Sequence, residues 1–482
     1  MEHQRRAFVG GAWSDATGDV FEVISPHTEQ PIARVTAAGP ADVDRAVTAA
    51  RAAFDEGPWP RLDPSERIQA VRQLAGLYDE RRREMAQLIT AEMGAPISFS
   101  KFAQATLPLT LLNAFADLGE AYPWEETRPG VFGADLLVRQ EPVGVVAAIV
   151  PWNMPQFLIA GKLAPALVAG CPIIVKAAPE TPLDALLLAE LVEQLDLPPG
   201  VVSILVGGGD VGAQLARHPG VDKVAFTGST AVGRQVAAAC GEGLKRVSLE
   251  LGGKSAAIVL DDADPAAVAE GVKVAGLMNS GQACVAQTRV LVPASRYDEH
   301  VDALAAMVES VPVGDPNDKA TEIGPLVARR QQERVRGYIA SGREEGARLV
   351  VGGTDLPVGV DRGWYVRPTL FADVDNRMRI AREEIFGPVL SVIPYDGEDE
   401  AVRIANDSDY GLSGSVWTAD GERGLDVARR VRTGSFGVNQ PYSMDPAGPF
   451  GGVKASGIGR ELGREGLEGY LDAKAISGAP AG

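Results

Sequence analysis

Val224-Ala225-Phe226-Thr227-Gly228-Ser229-Thr230-Ala231-Val232-Gly233 runs from an apolar triplet through a small, hydroxyl-bearing turn into helical spacing. A short buried strand that feeds a helix in this way is the repeating unit of parallel, doubly wound sheets. The unit recurs on both sides. Residues 145–150, 173–176, 202–206 and 247–250 also read as buried strands, and helical stretches separate them, one opened by Thr181-Pro182 and running to about Leu195. Alternation at this spacing implies right-handed crossovers. A second alternating block begins at residues 256–260, includes a helix opened by Asp264-Pro265, and extends to about residue 440. Upstream, Asp63-Pro64-Ser65-Glu66 is a helix start with cap, proline and glutamate in their preferred places. Ile68, Val71, Leu74, Ala75 and Tyr78 continue it at helical spacing, with Gly94 as the stop. Residues 122–141 are rich in Pro and Gly, turn strand-like at 136–140, and read as an arm outside either core. The fold class expected is α/β.

The bulk properties narrow the function classes. A chain of 482 residues is long enough for two or three domains. Hydrophobic content of 45% and charged content of 23% are those of a globular protein in water. A net charge of −18 argues against nucleic acid and against an anionic membrane surface. The apolar run at 143–150 is far short of a membrane span. Met1-Glu2-His3-Gln4-Arg5-Arg6 leads into a Gly-Gly turn rather than a secretory apolar segment, and the C-terminal residues carry no prenylation box. The three cysteines, Cys171, Cys240 and Cys284, cannot all pair and suit a reducing compartment, so a cytoplasmic location is expected. No metal is expected.

The chemistry-bearing residues form an unusual set. Glu250-Leu251-Gly252-Gly253-Lys254 is followed, 34 positions after its carboxylate, by the thiol of Gly281-Gln282-Ala283-Cys284. None of the four histidines, His3, His27, His218 and His300, lies in a site-like segment. A nucleophilic Cys284 must therefore be served by a carboxylate, a water or the local field. As a small buried hydrophobe, the alternative reading of any cysteine, Cys171 and Cys240 fit better than a thiol in a Gly-Gln turn. Glu250 sits among Val247, Leu249 and Leu251, which argues for a buried strand rather than a surface charge, and burial raises a carboxylate toward the range of a base. The Thr227–Gly233 turn offers backbone N–H groups and a helix start to an anion, or is simply a capped helix start. Gly207-Gly208-Gly209-Asp210-Val211-Gly212 formally matches a dinucleotide fingerprint, but no acidic residue follows at the ribose distance, and a tight turn is an equal reading.

Seven segments occur in one order: Pro151-Trp152-Asn153, Lys176 before Glu180-Thr181-Pro182, Phe226–Thr230, Glu250–Lys254, Gly281–Cys284, Glu384-Ile385-Phe386-Gly387-Pro388 and Pro449-Phe450-Gly451-Gly452. In this order they resemble the aldehyde dehydrogenase superfamily, of the NAD(P)-dependent, hydrolytic type, over essentially the whole chain. The resemblance implies a dinucleotide-binding domain (1–121 and 143–250), a catalytic domain (251–440) and a β oligomerisation arm (122–142 and 465–482), with 441–464 returning to the first domain or the interface. It implies that Cys284 attacks the aldehyde, that Asn153 and the Cys284 N–H stabilise the oxyanion, and that Glu250 activates the hydrolytic water. For the dinucleotide it implies Ile149, Pro151, Trp152, Lys176, Pro179, Gly209, Phe226, Thr227, Gly228, Ser229, Val232, Leu251, Glu384 and Phe386. Lys176 and Trp152 fall near the adenosine ribose, Ser229 at the pyrophosphate, Glu384 on the nicotinamide ribose and Phe386 against the nicotinamide ring. A homotetramer is implied before a dimer.

One departure bears on the cofactor. Where many NAD-preferring members have an acidic residue three positions after the lysine, Pro179 stands here, with Glu180 displaced by one. Exclusion of a 2′-phosphate is weakened, so NADP is an expected second cofactor, while NAD is favoured because no Arg stands beside these positions in the sequence. Met154, Leu158, Gly161, Met278, Met444 and Phe450 are the expected substrate lining. Apolar and free of Arg or Lys, they suit a medium-sized hydrophobic aldehyde. A semialdehyde substrate and transfer of the acyl group to coenzyme A are the alternatives, and retention of Glu250 counts against the latter.

Overall fold

Five parallel strands, β1 (Val146–Ile149), β2 (Ile173–Ala177), β3 (Val202–Val206), β4 (Lys223–Thr227) and β5 (Arg246–Glu250), lie side by side in the order β5-β4-β1-β2-β3. Chain order reverses between β1 and β4, which opens a crevice at the carboxyl ends of these two strands. The structure, a computed structural model, describes residues 3–4, 6–442 and 445–477. Antiparallel strands close both edges: Gly457–Ile458 beside β5, and the hairpin Arg6–Val9/Ala12–Asp15 beyond β3. Burial explains the strand composition, since every residue of β1 to β4 is buried on both faces.

The second sheet has the order Arg348–Val351, β8 (Thr369–Ala372), β9 (Val389–Tyr395), β7 (Arg289–Pro293), β6 (Ala256–Val259), β10 (Gly414–Trp417), Gly437–Val438. All its pairs are parallel except the first. The arm is a three-stranded antiparallel sheet in which Leu136–Pro142 lies between Glu125–Arg128 and Leu471–Ser477. A further small sheet of His3–Gln4, Pro31–Thr36 and Val20–Ile24 has no counterpart in the sequence reading, because its strands are short and the latter two are half exposed.

Helix α1 (Pro64–Met93) starts as its sequence directs. Asp63 accepts from Ser65 N at 2.9 Å, Glu66 accepts from Asp63 N at 3.0 Å, and Gly94 ends the helix at φ +84°. The helix expected from Thr181-Pro182 differs. It is α3 (Leu183–Val192), following α2 (Pro155–Ala169), and its cap is not local. Glu92, from α1, accepts from Leu183 N (2.8 Å) and Asp184 N (3.0 Å).

One buried side chain ties the second sheet to the loop after β5. Arg289, at the start of β7, donates Nε to Lys254 O at 3.0 Å and its terminal nitrogens to Asn376 Oδ1, Ile404 O and Ala405 O at 2.9–3.0 Å. Arg289→Met would leave those acceptors buried and unpaired, and is expected to lower unfolding free energy by about 3 kcal/mol or more, read by chemical denaturation.

Candidate active site

The crevice at the strand reversal holds a cavity of about 460 Å³. Ile149, Pro151, Trp152, Lys176, Pro179, Gly209, Phe226, Thr227, Gly228, Ser229 and Val232 all line it. Two helix starts open on it: α4 (Gly209–Arg217) and α5 (Thr230–Glu242). Ser229 is the N-cap of α5, accepting from Val232 N at 3.4 Å, so the capped-helix reading and the anion-site reading describe the same turn. Lys176 is buried, donates to Gly207 O at 3.1 Å, and is pushed down to about 8, first by burial and against the pull of Glu180. A crevice with a buried lysine and two helix starts fits a dinucleotide.

Three of the expected cofactor residues lie elsewhere. Leu251 packs in the apolar cluster with Phe226 and Val236, against Gly233. Glu384 and Phe386 belong to a loop from the second sheet, and the Phe386 ring meets Trp152 edge-on at 5.4 Å. Phe386 holds φ +64°, a costly conformation for a bulky residue. Gln331 donates to Phe386 O (2.9 Å) and Arg334 to Glu384 O (2.6 Å), which keeps the loop in place. The sequence also misled about arginines. Arg217, at the end of α4, lines the cavity, and Arg330 pairs with Glu180. Both are brought in by tertiary contacts that linear distance concealed.

Cys284 follows three consecutive left-handed residues, Asn279 (φ 53°), Ser280 (φ 58°) and Gly281 (φ 73°). At Gly281 a Cβ would sit 2.2 Å from the Gly387 carbonyl carbon, so the thiol loop and the Glu384 loop touch backbone to backbone only because glycine stands there. Gly253 is needed for the same reason, its Cβ position being 2.3 Å from Cys284 O. Thus the three segments carrying Glu250, Cys284 and Glu384 converge.

Asn153 is buried. Its side-chain amide donates to Gln282 O at 3.1 Å, and its main-chain carbonyl accepts from Gln104 (2.8 Å) and Asn279 (2.9 Å). Gln104 lies on the π-helical turn Ser100–Thr106, a form frequent at functional sites. Cys284 is half-buried, while Cys171 and Cys240 are buried. Burial pushes the Cys284 thiol up to about 12, and the nearby Glu384 and Glu250 add to the effect. Glu384 is itself raised to about 7 by burial, opposed by the Gly253 N–H it accepts at 3.0 Å. Glu250 is held well above the ordinary carboxylate range, by burial first and Glu461 next. Both its carboxylate oxygens are buried without a hydrogen-bond partner.

Glu461 and Lys162 were not anticipated. Lys162 Nζ contacts Glu461 Oε1 at 2.6 Å and donates to Thr227 Oγ1 at 2.7 Å. A lysine inside the otherwise apolar α2 was the available signal. Met154, Leu158, Met278 and Phe450 share one apolar cluster with Cys284, joined by Tyr442, which donates to Ala275 O at 2.7 Å. At Gly161 a Cβ would be in ordinary contact, 3.9 Å from Leu111 and Leu462 and 4.0 Å from Glu461 Oε2. Met444 lies outside the described residues.

A thiol, an amide and two raised carboxylates beside a dinucleotide-shaped crevice are the parts of carbonyl oxidation, and the sequence pattern agrees: residues 13–476 match the Aldehyde dehydrogenase family. The chain belongs to the aldehyde dehydrogenase family. Geranial dehydrogenase of Castellaniella defragrans is 48% identical over 477 residues, 99% of each chain. Among solved structures, a Mycobacterium tuberculosis aldehyde dehydrogenase complexed with NAD+ superposes with a TM-score of 0.96 at 49% identity, over 98% of each chain. Aldehyde dehydrogenase C of Pseudomonas syringae, in a cysteine-to-alanine form with NAD+ and octanal, gives 0.95 at 44%, over 99% of this chain and 98% of that one.

With the thiol at about 12, roughly one part in 10⁵ is thiolate at pH 7. Alkylation of Cys284 by iodoacetamide in the ligand-free protein is expected to rise about tenfold per pH unit with no plateau below pH ~10. Peptide mass spectrometry at Cys284 checks it; a plateau near pH 8 would contradict the burial argument.

Proposed function

We propose that this aldehyde dehydrogenase oxidises a medium-sized hydrophobic aldehyde to the carboxylate, with NAD as the preferred acceptor, through a thiohemiacetal and then a thioester on Cys284. The proximity of Cys284 to both Glu250 and Glu384, with His27, His218 and His300 engaged or buried elsewhere, carries this reading. Sγ adds to the carbonyl carbon while its proton leaves for the nearby acidic groups. The second amide hydrogen of Asn153 and the Cys284 N–H receive the oxyanion. Bound along Lys176, Ser229, Glu384 and Phe386, the dinucleotide supplies the hydride acceptor and a cationic ring. Glu250, once ionised, takes a proton from water, and the resulting hydroxide adds to the thioester carbon and expels Sγ.

Glu250→Gln should then acylate but not deacylate. Its kcat is expected to fall ~10²–10⁴-fold, with the acyl-enzyme accumulating in intact mass spectra. Because burial raises Glu250, its base form grows as pH rises, so wild-type deacylation should climb through and above neutrality. A flat profile between pH ~6 and ~9 would exclude Glu250 as the base.

Pro179 offers no carboxylate, Arg217 lines the crevice, and Arg330 neutralises Glu180. The kcat/KM ratio of NAD to NADP is therefore expected below ~10³, or ~4 kcal/mol. The octanal and geranial in the names of the relatives, and the apolar surroundings of Cys284, support a hydrophobic substrate. Octanal or benzaldehyde should exceed succinate semialdehyde by ~10-fold or more in kcat/KM. The reading takes the arm as the contact that builds a homo-oligomer, a tetramer before a dimer, in the cytoplasm. Exposed Val131 and Phe132 beyond strand Glu125–Arg128 support that use of the arm, and among the described residues no helix is long and apolar enough to cross a membrane.

A further inference from the structure

Conversion of an aldehyde and water to a carboxylate, with hydride going to the dinucleotide, releases two protons in each turnover. Both come from the water in the balance, since the proton that the thiol gives up on attack is returned when the thiol is regenerated. Glu250, Glu461 and Lys162 are nearly dry, at 2%, 5% and 0% exposure, so those protons need a route. The register of β4 and β5 lays one out. Lys223 pairs with Arg246, Ala225 with Ser248, and Thr227 with Glu250. Side chains at every second position share a face, so Lys223 and Thr227 on β4 lie with Ser248 and Glu250 on β5. On the opposite face Val224, Phe226 and Leu249 belong to an apolar cluster. Interrupted only by Ala225, a row of polar groups therefore runs along this face of the sheet, met at Thr227 by Lys162 of the Glu461–Lys162 pair.

The far end of the row reaches solvent. Lys223 and Ser248 line a second cavity of about 510 Å³, with Arg246, Arg460, Glu465 and Glu468 around it. Lys223 is only 3% exposed and has no ion pair among the described residues. Its ammonium donates to Ser248 Oγ at 3.3 Å and lies 4.9 Å from the Tyr470 ring centroid. The Tyr470 hydroxyl is buried without a partner, and Cys171 Sγ meets Tyr470 O at 3.5 Å. Facing Lys223 are thus Arg246 and Ser248 from β5, Lys162 from α2, Cys171, and Arg460, Glu461, Glu465, Glu468 and Tyr470 from the C-terminal segment.

The geometry points to Lys223, with Ser248, as the proton-exchange gate through which the Glu461–Lys162 pair communicates with solvent behind the sheet. Lys223 is a positioning residue that touches neither substrate nor cofactor, and this role rests on the function proposed above. In each cycle Glu250 passes its water-derived proton to Glu461, and Lys223 releases one to the rear cavity and is reprotonated from Glu461. Burial pushes Lys223 down to about 8, with Glu461 opposing, so exchange near neutral pH is feasible.

The test is Lys223→Met in the full-length protein. In dilute buffer its kcat should fall about tenfold or more, with the KM of aldehyde and NAD unchanged and the solvent deuterium isotope effect enlarged. Imidazole or ethylamine should restore kcat in a saturable manner. The thioester formed from p-nitrophenyl acetate without dinucleotide should live longer by the same factor, read by intact mass. A kcat within twofold of wild type, or a loss that no small buffer rescues, overturns the proposal. Should Lys223→Met fail to fold, Ser248→Ala is read in the same way. Wild-type protein that oxidises no aldehyde defeats the functional reading itself, whereas active wild type with a buffer-insensitive variant defeats only the gate.

Discussion

Three carboxylates, Glu250, Glu384 and Glu461, and one thiol are gathered in an interior that offers them, among the described residues, a single ammonium in direct contact, that of Lys162. In a medium this dry, like charges cannot all ionise, and each carboxylate left without a hydrogen bond is costly. The arrangement survives because protons take the place of counter-ions: Glu250 and Cys284 hold theirs tightly and Glu384 holds its own to about 7. Protons stored in this way are the ones the chemistry must move. The cost to folding and the capacity for catalysis are two aspects of the same burial.

Bringing the four groups together dictates much of the surrounding backbone. The strand end at β5 delivers Glu250, the glycine pair after it lets the Cys284 carbonyl approach, and the left-handed run Asn279–Gly281 turns the thiol inward. The second sheet supplies the Glu384 loop, whose strained Phe386 is held by Gln331 and Arg334 rather than by its own conformational preference. Arg289 fastens that sheet to the loop after β5 through Lys254 O. The contact of Trp152 with Phe386 then joins the crevice of the first sheet to the Glu384 loop of the second.

How much of this was legible in the sequence follows from how local each signal is. Strands β1 to β4 were readable because a strand covered on both faces is mostly apolar, β5 because Val247, Leu249 and Leu251 flank Glu250, and the α1 start because its cap lies within four residues. The α3 cap was misread because Glu92 comes from another helix. Arg217 and Arg330 escaped notice because the crevice is assembled from separate segments. Lys162 was the instructive miss: its helix is apolar all round, and a charge in such a helix is anomalous until Thr227 and Glu461 are seen beside it. Glu461 itself lies in a Gly-rich segment with no regular period to give it a face.

The lack of a histidine in this site has a physical consequence. An imidazole beside a thiol makes a standing ion pair, a thiolate reactive toward any electrophile that enters. Here burial, with two acidic groups beside Cys284 adding to it, pushes its proton affinity up instead of down. The resting thiol therefore stays protonated at neutral pH. A carboxylate base suits such a site: burial keeps Glu250 neutral while the thiol waits, and its ionised form is the one that activates water. The apolar cluster around Cys284 serves both states, since it keeps water from the resting thiol and raises the basicity of Glu250 when water must finally be activated.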